Sequence, residues 1–145
     1  MMRRIALLSC IAIALLGRSG LAQSDEQVET RKLVLDLATA FSNDGFKARD
    51  GNWSGTLHPK ESLFLQVHLY AGNQYWFSLA GTPDKAKKLA VTVFDESGKA
   101  VQGDTYQEGS KAAAGIEADA SGSYYIRVQE LEGEPTSFTL IYSYK

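Results

Sequence analysis

The chain has 145 residues, with 15 basic and 17 acidic side chains, 44% hydrophobic residues and a single cysteine. That length holds one ordinary domain. The balance of charge lacks the basic excess that a nucleic-acid surface requires, so nucleic acid is excluded as the main partner.

The first residues read as an export signal. Arg3 and Arg4 give a positive start, Ile5 to Leu16 run apolar apart from Ser9 and Cys10, and Gly20-Leu21-Ala22 places small residues where a signal peptidase reads. The run is too short to span a bilayer, which takes about 20 residues. Leu7-Leu8-Ser9-Cys10 loosely resembles a lipobox, but the apolar run continues well past the cysteine. Cleavage after Ala22 is expected, giving a periplasmic or secreted protein. The mature chain then has no cysteine, hence no disulfide, thiolate metal site or cysteine nucleophile. Loss of Arg3, Arg4 and Arg18 leaves 12 basic against 17 acidic side chains, a net charge of −5. Nothing in that charge draws the chain to an anionic membrane surface.

One helix follows, over residues 23–44. Ser24 is placed to cap it, with Gln27 three residues on. Val34, Leu37, Ala38 and Phe41 recur at spacings of three and four, Leu33 widens the stripe, and Asn43-Asp44-Gly45 ends it. The stripe calls for a partner, either the chain's own sheet or another protein.

From Gly45 the period changes to two. Trp53, Gly55 and Leu57 share a side. Ser62 to Tyr70 alternates Leu63, Leu65, Val67 and Leu69 with Phe64, Gln66, His68 and Tyr70. After Ala71-Gly72-Asn73, Gln74 to Leu79 brings Tyr75, Phe77 and Leu79 into phase, and the two runs read as a hairpin. Leu89 to Phe94 is a strand, Asp95-Glu96-Ser97-Gly98 a tight turn, and Lys99 to Gln102 a short return strand. Gly103 to Ser110 reads as a polar loop and Lys111 to Ala118 as a weak strand. Ser123 to Gln129 and Thr136 to Tyr144 alternate cleanly. About eight strands with one apolar face each predict a mostly β fold, an antiparallel jelly-roll-like β-sandwich over residues 45–145.

No catalytic group emerges. His58 stands beside Pro59 and His68 in mid-strand, without a Gly-x-Ser-x-Gly elbow or a nucleophile–base–carboxylate set. Two histidines without cysteine are not a zinc pattern. Asp95 and Asp104 lie in adjoining turns and are the weak calcium candidates; no EF-hand is present, and turn formation accounts for them, so no cofactor is expected. The aromatics carry more interest. Trp76 is out of phase with Tyr75, Phe77 and Leu79 and is the best exposed candidate, joined by Tyr106 in a loop and by Trp53, as a flat contact surface for ligand.

Several segments in order resemble the bacterial pre-peptidase C-terminal (PPC) domain. They are Phe64 to Leu69, Ala71-Gly72-Asn73 and Tyr75-Trp76-Phe77; then Leu89 to Asp95 with Gly98. Ser121-Gly122-Ser123-Tyr124-Tyr125-Ile126-Arg127-Val128 and Ser137-Phe138-Thr139-Leu140 follow. The resemblance covers Ser62 to Tyr144 and implies a small exported sandwich that accompanies secreted peptidases or stands alone, some relatives binding calcium or insoluble substrates such as collagen. No peptidase domain is present here and the helix is additional. The expectation is a non-catalytic exported binding module of PPC-like type, with a protein or polysaccharide partner. The alternative is a structural subunit of an envelope or secreted assembly that docks through its helix.

Overall fold

The computed structural model describes residues 19–145, with side chains from residue 25 onward. The expected signal segment falls outside the described residues except for its last four, which form the first turn of α1 (Ser19–Ser42). The helix therefore starts before Ser24, which lies inside it and does not cap it. Leu21-Ala22-Gln23 are good helix formers and extend it backward. Its end is as expected: Gly45 adopts φ 89°, the left-handed conformation that closes a helix and that suits glycine. Among the described residues no helix is long and apolar enough to cross a membrane.

Nine strands follow: β1 (Lys47–Ala48), β2 (Trp53–Leu57), β3 (Ser62–Leu69), β4 (Gln74–Gly81), β5 (Ala86–Phe94), β6 (Asp104–Glu108), β7 (Lys111–Glu117), β8 (Gly122–Gly133) and β9 (Thr136–Tyr144). They form two antiparallel sheets. The larger runs β1-β9-β4-β7-β6, with β2 also on β9; the smaller runs β3-β8-β5. The molecule is a β-sandwich with a helix on its back.

The sheets meet through the residues that alternation assigns inward. Leu57, Phe77, Leu79, Leu140 and Phe138 come from one sheet and Val67, Leu69, Leu89, Val93, Ile126 and Val128 from the other. Each such side chain contributes roughly 1.5–3 kcal/mol when fully buried. β7 reads as weak because its inward residues are small. Ala112, Ala114 and Ile116 stand opposite Leu79, Phe77 and Tyr75, so small residues make room for the large ones beside them.

Three local expectations are corrected. The runs around Ala71-Gly72-Asn73 do not pair as a hairpin: β3 pairs with β8, and β4 with β7 and β9. Tyr75 fixes this arch, its hydroxyl oxygen accepting from Tyr70 N at 2.9 Å and from Asn73 Nδ2 at 3.2 Å. Gly103 to Ser110 contains β6, an edge strand that reads as loop because it is polar on both faces. The return strand at Lys99 to Gln102 reduces to a bridge between Phe94 and Ala100.

The helix lies on the outer face of the larger sheet. Val34 and Ala38 pack on Ala80 and Ile141, with Leu33 beside them. Thr30 and Thr139 share a buried hydroxyl–hydroxyl hydrogen bond of 2.8 Å. Glu26 is paired with Lys85 and accepts from Ser137 Oγ at 2.9 Å, and these contacts hold its carboxyl below its ordinary range. This is why β9 is buried on both faces, with polar Ser137, Thr139 and Ser143 under the helix.

Candidate functional site

Phe41 of α1 stacks on the Trp76 indole, with ring centroids 4.2 Å apart and planes 9° off parallel. On the indole's other side lies Gly115, directly across in β7, where a Cβ atom would come within 2.7 Å of the ring. Trp76 is thus half-buried between helix and sheet. The alternation of β4 correctly turns it away from the core, and the helix then covers that face. As an open contact surface Trp76 is corrected: it anchors α1.

Tyr106 lies on edge strand β6 and its hydroxyl donates to Glu108 at 2.7 Å, which raises the phenol's pKa. No other aromatic ring joins it there among the described residues.

Asp95 is engaged within its own turn. Its Oδ1 accepts from Ser97 N at 3.0 Å, Ser97 Oγ at 2.6 Å and Lys99 N at 3.0 Å, and these bonds lower its pKa. Asp104 opens β6 and lines a different depression from Asp95. The structure does not bring the two together, and among the described residues no three His, Cys, Asp or Glu side chains gather as metal ligands would.

Trp53 lines a cleft separate from the depression that Trp76 and Asp104 line. It begins β2 and stacks on Tyr142 of β9 at 5.8 Å and 20°. The Arg49 guanidinium lies over the same Tyr142 ring at 5.5 Å, and Arg49 N donates to Tyr142 O at 3.0 Å. Because β1 and β2 both pair along β9, the connection 49–52 between them is pushed out at that edge of the larger sheet. Across the gap lies β3 of the smaller sheet. Together they enclose an open cleft of about 410 Å³ lined by Trp53, Arg49, Asp50, Gln66, His68 and Tyr70, among others.

The cleft is polar and aromatic. Tyr70 is 56% exposed and meets His68 edge-on at 5.1 Å and 72°. Gln66 Nε2 donates to Ser123 Oγ at 3.1 Å. Tyr142 is buried at the base, and burial raises its phenol pKa while Arg49 opposes the rise. His68 and Tyr70 are signalled by the polar face of the Ser62–Tyr70 alternation. Arg49, Asp50 and Tyr142 carry no local signal, because their role depends on which edge faces β3.

Two other features stand apart. On the outer face of the smaller sheet Phe64 is 58% exposed, 6.2 Å from the Phe94 ring, over which Arg127 sits at 5.1 Å. At the far end of β8, Glu130 is in phase with Tyr124, Ile126 and Val128 and so points into the sandwich. It is fully buried, neither carboxylate oxygen has a hydrogen-bond partner, and burial pushes its pKa up to about 7 against the opposing pull of His58.

Neither a protein-family model nor a curated protein matches the chain. Among solved structures, it is similar to PliG of Aeromonas hydrophila, a periplasmic lysozyme inhibitor of g-type lysozyme. The identity is 16% over 70% of this chain and 90% of that one, with a TM-score of 0.48. A de novo designed double-stranded β-helix matches at 16% identity over 63% of this chain and 97% of that one, with a TM-score of 0.38. At this level neither likeness assigns a role.

Proposed function

We propose that the protein is an exported, non-catalytic binding module whose contact surface is the cleft between β3 and the 49–53 segment. The observation that carries this reading is the lining: Trp53, Tyr70 and Tyr142 supply apolar area, and Arg49, Asp50, Asn52, Gln66 and His68 ring it with donors and acceptors. His68 packs edge-on against Tyr70 and adds an aromatic face to that lining. Export rests on the signal pattern of residues 1–22, and the PPC-like segments agree with a module of this class. The helix is less suited to docking a partner than its sequence suggests, because its apolar stripe is already committed to Ala80, Ile141 and Trp76.

The test uses the two tryptophans. Trp76→Phe leaves Trp53 as the sole reporter. Its fluorescence is titrated with unstructured peptides, soluble polysaccharides and a g-type lysozyme. A saturable change with one of these supports the cleft as a binding surface; no change with any of them removes the reading.

A further inference from the structure

The cleft runs along a strand edge. Gln66 and His68 belong to one face of β3 and Val67 to the other, yet all three line the same cleft. Side chains from opposite faces of a strand meet only around its edge. One edge of β3 is filled by β8, in eight consecutive register pairs without a bulge. The other has no strand beside it among the described residues.

That edge is also unguarded. Exposed edges are ordinarily blunted by charge, proline, bulges or shortness, because their free N–H and C=O groups recruit other chains. The far edge of the same sheet follows the rule: β5 carries Lys87 and Lys88 and two register irregularities. The β6 edge of the larger sheet is five residues long and bounded by Asp104 and Glu108. β3 is eight residues of Ser-Leu-Phe-Leu-Gln-Val-His-Leu, with no proline, lysine, arginine or carboxylate.

We propose that the cleft takes an extended peptide segment, added to β3 as a fourth strand of the smaller sheet; this deepens the binding reading above and rests on it. The ligand class follows from the edge. Its outward main-chain donors and acceptors recur every second residue, and an extended polypeptide matches that period, whereas a saccharide offers hydroxyls on a different one. Main-chain bonds to β3 supply affinity. Alternate side chains of the segment fall inward, toward Trp53 and Tyr142, or outward, toward Tyr70 at the rim of the cleft and Phe64 beyond it, and supply selectivity. Arg49 and Asp50 on the facing wall balance in charge, so the favoured segment is apolar at alternate positions and carries little net charge.

The test selects decapeptides from a random displayed library on the protein, then remakes the best binder with a single N-methyl group at each position in turn. Strand addition predicts an alternating scan: methylation at every second position weakens binding tenfold or more, and the positions between are tolerated. Every second amide of residues 62–69 also becomes slower to exchange hydrogen on binding. Phe64→Lys, a change at an exposed position, weakens binding tenfold; if that variant fails to fold, the methylation scan decides alone. A binder that alters Trp53 fluorescence but tolerates methylation throughout overturns strand addition and leaves the cleft as a binding surface. So does a polysaccharide that alters Trp53 fluorescence when no peptide is selected. Protection of residues 62–69 that rises with protein concentration alone overturns the peptide in favour of a second copy. If peptides, polysaccharides and the g-type lysozyme all leave Trp53 unaltered, the binding reading fails as well.

Discussion

Glu130 makes folding depend on pH in a direction opposite to that of most carboxylates. Its side chain is fully buried without a hydrogen-bond partner, so the folded chain holds it protonated well above the ordinary 4.5, up to about 7. Between those values the folded state binds more protons than the unfolded chain, so stability falls as pH rises. Glu130's contribution is fully present below pH 4.5 and is lost as pH passes about 7. The difference corresponds to about 3 kcal/mol. Glu130→Gln keeps the shape and removes the titration. Thermal unfolding followed by circular dichroism should show the variant gaining on the parent from pH 4.5 to pH 8. The relative gain in midpoint should reach about 10 °C. Parallel pH profiles for the two proteins would mean instead that Glu130 ionises in the fold as freely as in the unfolded chain. Glu130→Met, which removes the polar group altogether, should track the Gln variant.

Trp76→Ala should cost about 2–3 kcal/mol in urea unfolding, since it empties the space between Phe41 and Gly115. A double-mutant cycle with Phe41→Ala should return a coupling of about 1 kcal/mol, and zero coupling would contradict the stacked pair. Gly115→Ala should destabilise by about 1–3 kcal/mol by the same assay, because its Cβ would stand 2.7 Å from the indole. Calcium at millimolar concentration should leave the melting midpoint unchanged, Asp95 Oδ1 being occupied by Ser97 and Lys99; a rise that Asp95→Ala abolishes would contradict this. Tyr106→Ala should leave cleft binding unaltered in the fluorescence titration.

Local pattern carried the elements and missed their partners. Alternation marks Tyr124, Ile126 and Val128 as inward and reveals the sandwich, because period two is a property of each strand alone. Pairing is not: β3 finds β8 nearly sixty residues on, so adjacency in sequence suggested a hairpin where the chain makes an arch. Trp76 shows the same gap. Its phase says which face it leaves the sheet by, and only the return of α1 across β9 and β4 decides that this face is covered. Glu130 was legible in principle, since it continues the inward phase of Val128, but the strand was expected to end at Gln129, one residue short of it. Of the cleft, Trp53 was legible as a contact aromatic, and His68 and Tyr70 as the polar face of their strand. Their meeting depends on two edges, Arg49–Trp53 and β3, that belong to different sheets.

If the β3 cleft is where this protein meets its ligand, Trp53→Ala removes one wall of the binding surface. Isothermal titration with whichever probe moves Trp53 fluorescence should show a loss of about tenfold or more in affinity for the variant, the expected cost of removing an aromatic contact. The variant should still melt cooperatively. Unchanged affinity in a folded Trp53→Ala protein would place binding elsewhere on the molecule.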